Sequence, residues 1–184
     1  MFDFKDEKKL VLEYFTSINE AESENLIDII SKYTSDEFKM KCTHPFNELI
    51  GANQVANNLW VPIKNSFEPV QRRMDIFYAG INSLDNNEGK WVTSMGHFMG
   101  VFKKSFLGIQ PNNKSILLRY AEFYKVENNK ITEGAIFLDI INFMQQLGLS
   151  IIPESTGLVC VTPGPMNHKA VSYTNLKLPT TPYV

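Results

Sequence analysis

The 184-residue chain carries 43% hydrophobic and 21% charged residues, an ordinary globular balance in a length suited to one domain with a sizeable core. Eighteen Lys and Arg against twenty Asp and Glu leave a net charge of −2, without the basic excess that a phosphate backbone demands, so nucleic acid is not an expected partner. No uncharged apolar run approaches the roughly eighteen residues of a membrane span, and the charged start of the chain lacks the apolar run of a secretory leader. With only Cys42 and Cys160 available for pairing, two free thiols and a cytoplasmic location off the membrane are the expectation.

Along the chain, Leu10, Val11, Tyr14, Phe15 and Ile18 recur at helical spacing, and Leu26, Ile27, Ile29, Ile30 and Tyr33 repeat the pattern after Ser23, a candidate N-cap. Over 36–43, Phe38, Met40 and Cys42 alternate with polar neighbours, the period of a half-buried strand. Val55, Leu59, Trp60 and Ile63 predict a third helix from Gly51, which Pro62 should kink or end. Four segments rich in aromatic and branched residues, 70–81, 90–102, 115–126 and 130–140, read as strands joined by polar or glycine-bearing stretches, hence an antiparallel meander. Ile140, Ile141, Met144 and Leu147 form a short closing helix that stops at Gly148. The remainder, 149–184, holds five prolines and reads as an extended arm, apolar enough around Ile151, Leu158 and Val161 to lie on the domain or on a neighbouring subunit. The domain division is therefore 1–148 plus a Pro-rich arm, 149–184.

Helices first and a meander after give an α+β domain in which a curved sheet wraps the helices as a cone and leaves a cavity. Within this order stand Thr43-His44-Pro45-Phe46-Asn47-Glu48-Leu49-Ile50-Gly51, Trp60-Val61-Pro62, Arg72-Arg73-Met74-Asp75-Ile76-Phe77-Tyr78-Ala79-Gly80 and Gly96-His97-Phe98-Met99-Gly100. Then come Leu107-Gly108-Ile109-Gln110-Pro111, Leu118-Arg119-Tyr120-Ala121-Glu122-Phe123, Asp139, and Gln145-Gln146-Leu147-Gly148. The series resembles the SnoaL-like polyketide cyclase branch of the nuclear transport factor 2-like superfamily over roughly residues 5–170. Pro163-Gly164-Pro165 with His168 looks like the segment that joins two such domains in longer relatives. The resemblance implies a cone-shaped antiparallel sheet around three N-terminal helices, and an Asp and a His acting as acid and base in an intramolecular aldol closure. The Asp maps onto Asp139; the His position falls at Tyr124, which removes the group best suited to shuttle protons near neutral pH.

Read from the residues, Asp139 ends an apolar strand, where a carboxylate is either poised for proton transfer or caps the next helix and pairs with Arg119. Glu122 and Tyr124 share a strand face and can enter one cavity; Glu122 can equally be a solvated or interface carboxylate. His97, with Trp91, Met95 and Met99 on its face, is either a proton donor in the cavity or a core or interface histidine. His44 rims the cavity mouth or satisfies a carbonyl, while Trp60, Tyr78, Trp91, Phe98 and Phe137 line a pocket for flat rings or simply fill the core. The spacing of His44, His97 and His168 fits no metal motif, and no phosphate loop or nucleophile elbow occurs, so neither metal nor cofactor is expected. The functions in view are cofactor-free acid/base chemistry of cyclase, isomerase or lyase type on a small apolar carbonyl compound, a non-catalytic binding protein for an apolar or aromatic metabolite, and a homodimeric structural module.

Overall fold

The computed structural model describes residues 4–82 and 89–149. The Pro-rich arm expected over 149–184, with Cys160 and His168, lies outside the described residues apart from Leu149.

The chain opens with α1 (Lys5–Glu20) and α2 (Leu26–Tyr33). Each buries the stripe that its spacing marks: Leu10, Val11, Tyr14, Phe15 and Ile18 on α1, and Leu26, Ile30 and Tyr33 on α2. Ser23 does not cap α2. It begins a 3₁₀ turn (Ser23–Asn25), and its hydroxyl donates instead to Asn65 Oδ1 at 3.3 Å. Two short strands follow, β1 (Thr34–Cys42) and β2 (Glu48–Ile50), the second too short to register as a sequence period.

The third helix is not a single rod. It runs as α3 (Gly51–Val55), a π-helical turn (Ala56–Trp60) and α4 (Val61–Ser66). Pro62 is tolerated because it falls at the start of α4, where its missing N–H costs little. Lys64 on α4 ties this segment to α1 by donating to the carbonyls of Ile18 and Asn19 at 2.9 and 3.0 Å.

The meander comprises β3 (Phe67–Asn82), β4 (Gly89–Phe102), β5 (Ser115–Glu127) and β6 (Lys130–Leu138), closed by α5 (Ile140–Gln146). The six strands form one sheet in the order β2-β1-β6-β5-β4-β3; every pairing is antiparallel except β1 with β6. Strand β5 alternates without fault: Ile116, Leu118, Tyr120, Glu122, Tyr124 and Val126 face inward onto the helices.

Strand β3 does not alternate so simply. Its pairing with β4 slips between Met74 and Ile76, leaving Asp75 as an extra residue. Arg72 and Met74 sit on the inward rows of Phe98 and Gly96, whereas beyond the bulge Phe77 pairs with inward Ser94 and Tyr78 with outward Thr93. The bulge thus inverts the face sequence halfway along the strand. Gly96 permits it, since a Cβ there would lie 1.9 Å from the Arg73 carbonyl oxygen.

Inside the curve, the far end is dry. Phe67, Phe102, Phe106 and Phe143 pack ring against ring at centroid separations of 5.3–5.8 Å, and α5 closes over them. The Gln146 side chain bonds both backbone groups of Leu117, at 2.7 and 3.0 Å, fixing α5 to the edge of β5. The other half of the interior holds a buried ion pair among its apolar and aromatic side chains.

Candidate functional site

Arg72 and Glu122 meet in the middle of the inward face, their side chains 3% and 0% exposed, with Nη1 of the arginine donating to Oε2 of the carboxylate at 2.5 Å. Four rings enclose the guanidinium: Phe15 at 4.0 Å from its carbon to the ring centroid, Phe98 at 4.7 Å, Tyr120 at 5.0 Å and Trp60 at 5.4 Å. The elements explain the convergence. Helix α1 supplies Tyr14 and Phe15, the π turn ends on Trp60, β3 supplies Arg72 before its bulge, β4 supplies Ser94 and Phe98, and β5 supplies Tyr120, Glu122 and Tyr124. Gly134 on β6 leaves space for the Tyr124 ring, whose carbons stand 3.3 Å from where a Cβ would be.

Burial is the dominant electrostatic influence. It pushes the Glu122 carboxyl above the ordinary carboxylate range, and the Arg72 charge offsets only part of that rise. Burial is the largest influence on Arg72 and works to lower it, but the Glu122 charge and hydrogen bond together with Tyr120 and Tyr124 outweigh it and keep the guanidinium protonated. Burial also raises the phenols of Tyr14, Tyr120 and Tyr124, and the thiol of Cys42 is pushed up to about 12 by burial and by Glu122. Cys42 is thus an inert thiol.

What sets this cluster apart is the number of polar atoms left without a partner. Ser94 and Tyr120 satisfy each other at 3.2 Å. Glu122 Oε1, Arg72 Nε and Nη2, the Tyr14 and Tyr124 hydroxyls and Trp60 Nε1 are all buried with no hydrogen bond. Tyr124 lies near enough to Glu122, and Trp60 to Tyr14, to shift their proton affinities, yet neither pair reaches hydrogen-bond geometry. Buried polar groups are normally satisfied, so six such atoms around one ion pair mark a place where a further polar group belongs.

The residues expected from sequence divide between the two faces. Glu122, Tyr124, Trp60 and Phe98 come together in this cluster. His97 faces outward beside Met95 and Met99, with Nδ1 3.1 Å from Asp75 Oδ2. Trp91 shares that outward face, and so do exposed Tyr78 and Phe137. His44 is exposed in the turn after β1. Asp139 accepts from the Asn142 N–H at 2.9 Å as the N-cap of α5 and stands 3.7 Å from Arg119. With the Asp139 side chain 34% and Arg119 46% exposed, the pair is partly solvated and separate from the Glu122 cluster. Arg72, Tyr14, Tyr120 and Ser94 were not among the expected site residues: Arg72 and Tyr120 stood only inside longer motifs, and Tyr14 only in the apolar stripe of α1. The signal that finds Arg72 is an arginine in the same period-2 row as Val70 and Met74, which a solvated residue would not occupy.

A cleft of about 890 Å³ lies elsewhere, between the first turns of α1 and the β5–β6 turn, lined by Asp6, Glu7, Glu13, Lys90 and Glu127. Its charges face solvent, and Glu7 and Lys90 already pair at 2.5 Å, so it lacks the unmet groups of the inner cluster. Among the described residues, no three His, Cys, Asp or Glu side chains gather as a metal site, and no helix is long and apolar enough to cross a membrane.

The SnoaL-like polyketide cyclase family matches residues 85–147. No curated protein sequence matches the chain. Among solved structures it is similar to AclR, a "putative hydroxylase" from Streptomyces galilaeus, at TM-score 0.64 and 18% identity over 83% of this chain and 86% of that one. It is similar also to IdmH, a "putative polyketide cyclase" from Streptomyces antibioticus, at TM-score 0.59 and 10% identity over 78% and 99% of the two chains. An NTF2-like protein from Burkholderia thailandensis E264 aligns at TM-score 0.55 and 13% identity over 76% and 94%. These likenesses establish the architecture, a nuclear transport factor 2-like fold, and residues 85–147 are similar to the SnoaL-like polyketide cyclase family, in line with the resemblance read from the motifs.

Proposed function

We propose that this protein is a proton-transfer enzyme of cyclase, isomerase or lyase type acting on a small, largely apolar carbonyl compound, with Glu122 as the base and Arg72 as the oxyanion holder. The carrying observation is the set of unpartnered buried atoms on Arg72, Glu122, Tyr14 and Tyr124. Glu122 Oε1 takes a proton from the carbon beside the substrate carbonyl. The C–H electrons move into the carbonyl, and the resulting enolate oxygen accepts from the free Arg72 N–H groups and a tyrosine hydroxyl. No net charge is created, since a carboxylate becomes neutral as the enolate forms. The enolate then attacks a second carbonyl or is reprotonated at another carbon by Glu122. A carboxyl whose proton affinity is raised by burial is suited to both steps. Asp139, on the far side of β5, enters this scheme only by holding α5.

The complete enclosure of the pair favours a second reading, a filled structural module with no turnover. The experiment that separates them is α-proton exchange of 2-tetralone in D₂O followed by NMR. Exchange above the buffer rate that falls about a hundredfold or more in Glu122→Gln supports the enzyme. Exchange equal to the buffer rate in the wild type supports the module.

For either reading we infer that two copies pair through the outward face, where Phe137, Tyr78, Leu117 and Met95 stand exposed around the His97 row. Light scattering at tens of micromolar should give twice the chain mass, reduced to the monomer by Phe137→Arg. A monomeric wild-type protein overturns the pairing.

A further inference from the structure

The Arg72 guanidinium has one edge in use and one free. Glu122 takes Nη1 alone. Nε and Nη2 lie on the opposite edge, and their N–H bonds point in parallel, the arrangement that grips a planar pair of oxygens. In the same cluster, within the electrostatic reach of Arg72, the Tyr14 and Tyr124 hydroxyls are also unpartnered, as is Trp60 Nε1. Five of these buried atoms can donate and three can accept, Glu122 Oε1 and the two phenol oxygens, so donors are in surplus. A group that only accepts, and does so through two coplanar oxygens, answers both the surplus and the geometry.

We propose that the free edge of Arg72 is a carboxylate subsite, so that the compound held in this cone is a flat, mainly apolar acid with both carboxylate oxygens on Nε–H and Nη2–H. The proposal rests on the same cluster as the proton-transfer reading and names another occupant of it: a bound acid fills the N–H groups that would hold the enolate and leaves Glu122 protonated, so it blocks proton transfer rather than undergoing it. The surrounding rings of Phe15, Phe98, Tyr120 and Trp60 demand the apolar body.

Charge then dictates a proton movement. A second carboxylate cannot join Glu122 in this enclosure as a free negative charge, so the acid's proton passes to Glu122, leaving the ligand carboxylate on Arg72 and a neutral carboxyl beside it. A ligand that arrives already ionised draws that proton from solvent. The groups that face Glu122 are Arg72 from β3, Tyr14 from α1, Tyr120 and Tyr124 from β5 and Cys42 from β1. The phenols and the thiol stay neutral near pH 7 and Arg72 stays charged, so Glu122 is the group among them that titrates.

The test is benzoate titrated into the full chain, followed by tryptophan fluorescence and by calorimetry in two buffers of different ionisation enthalpy near pH 7, with benzamide as the uncharged control. Benzoate should bind at least about tenfold more tightly than benzamide, with about one proton taken up per molecule bound. Glu122→Gln removes the competing charge; it should bind benzoate about tenfold more tightly than the wild type and take up no proton. Arg72→Lys keeps the charge but not the edge, and should lose the preference for benzoate. Equal binding of the two probes, no binding of either, benzoate binding without proton uptake, or a folded Glu122→Gln protein that no longer binds benzoate would each overturn the subsite. If Glu122→Gln does not fold, the proton count and Arg72→Lys decide. Exchange of 2-tetralone without benzoate binding removes the carboxylate subsite alone; benzoate binding without exchange removes the proton-transfer reading alone.

Discussion

Arg72 and Arg73 are chain neighbours on β3, and the pleat sends them to opposite faces of one sheet. On the inward face Arg72 meets Glu122 with both charges out of water, and failure to pair there costs several kcal/mol. On the outward face the row Arg73, His97 and Arg119 runs across three strands, with Asp75 against the histidine and Asp139 against the second arginine, all of them within reach of solvent. Water and salt screen that row, so its pairs contribute little to stability. Identical side chains thus form an enclosed ion pair on one face and solvated, screened pairs on the other. Burial, not residue type, makes the difference.

The largest effect is expected at Arg72. Arg72→Met strands Glu122 as an unpaired buried carboxylate, and urea denaturation should show a loss of about 3–5 kcal/mol. Replacing both partners, as Arg72→Met with Glu122→Leu, should regain most of that loss, because an apolar pair of similar volume carries no desolvation penalty. A double variant no more stable than Arg72→Met would mean that the pair organises the surrounding rings rather than merely cancelling charge. On the outward face, Asp139→Ala removes both the α5 cap and the Arg119 partner and should cost about 1 kcal/mol. Asp139→Asn keeps a capping oxygen and should lose less than about 0.5 kcal/mol. A collapse of 2-tetralone exchange in Asp139→Asn would instead put this carboxylate into the reaction.

The smallest effect is in pH. The folded carboxyl of Glu122 binds its proton more tightly than the unfolded one, so its contribution to stability is complete below the ordinary value of 4.5 and declines as pH rises toward the raised folded value. The melting temperature of the wild type relative to Glu122→Gln should therefore fall as pH is raised above 4.5. A difference that stays flat with pH would mean that Arg72 cancels the burial of Glu122 completely.

Much of this was legible in the sequence where a period ran unbroken. Strand β5 alternates from Ile116 to Val126, so Glu122 and Tyr124 could be assigned one face from spacing alone. The same reasoning misplaces residues around a bulge. On a strict period Tyr78 shares a face with Arg72, and the extra residue at Asp75 turns it outward. Trp91 and Phe98 are separated by an odd number of positions on β4, so they lie on opposite faces and cannot line one pocket. Asp139 ends an apolar run, but β6 stops at Leu138 and the next residue serves the helix. Arg72 was the hardest to see, because an arginine inside a strand reads as solvated until its row is known to face inward and its partner, fifty positions away, is seen to be Glu122.

The π turn that carries Trp60 closes its hydrogen bonds one residue later than an ordinary helix does, so it holds one residue more than the same arc of α-helix. Removing a single residue between Ala56 and Leu59 would let the segment relax into one continuous helix. The residue lost would be the extra one, so α4 beyond the deletion would keep its facing and Ile63 its seat in the core. An insertion at Asn57 or Asn58, both exposed, would instead turn α4 by about 100° around the helix axis, the angle that one residue spans, and carry Ile63 out of the core.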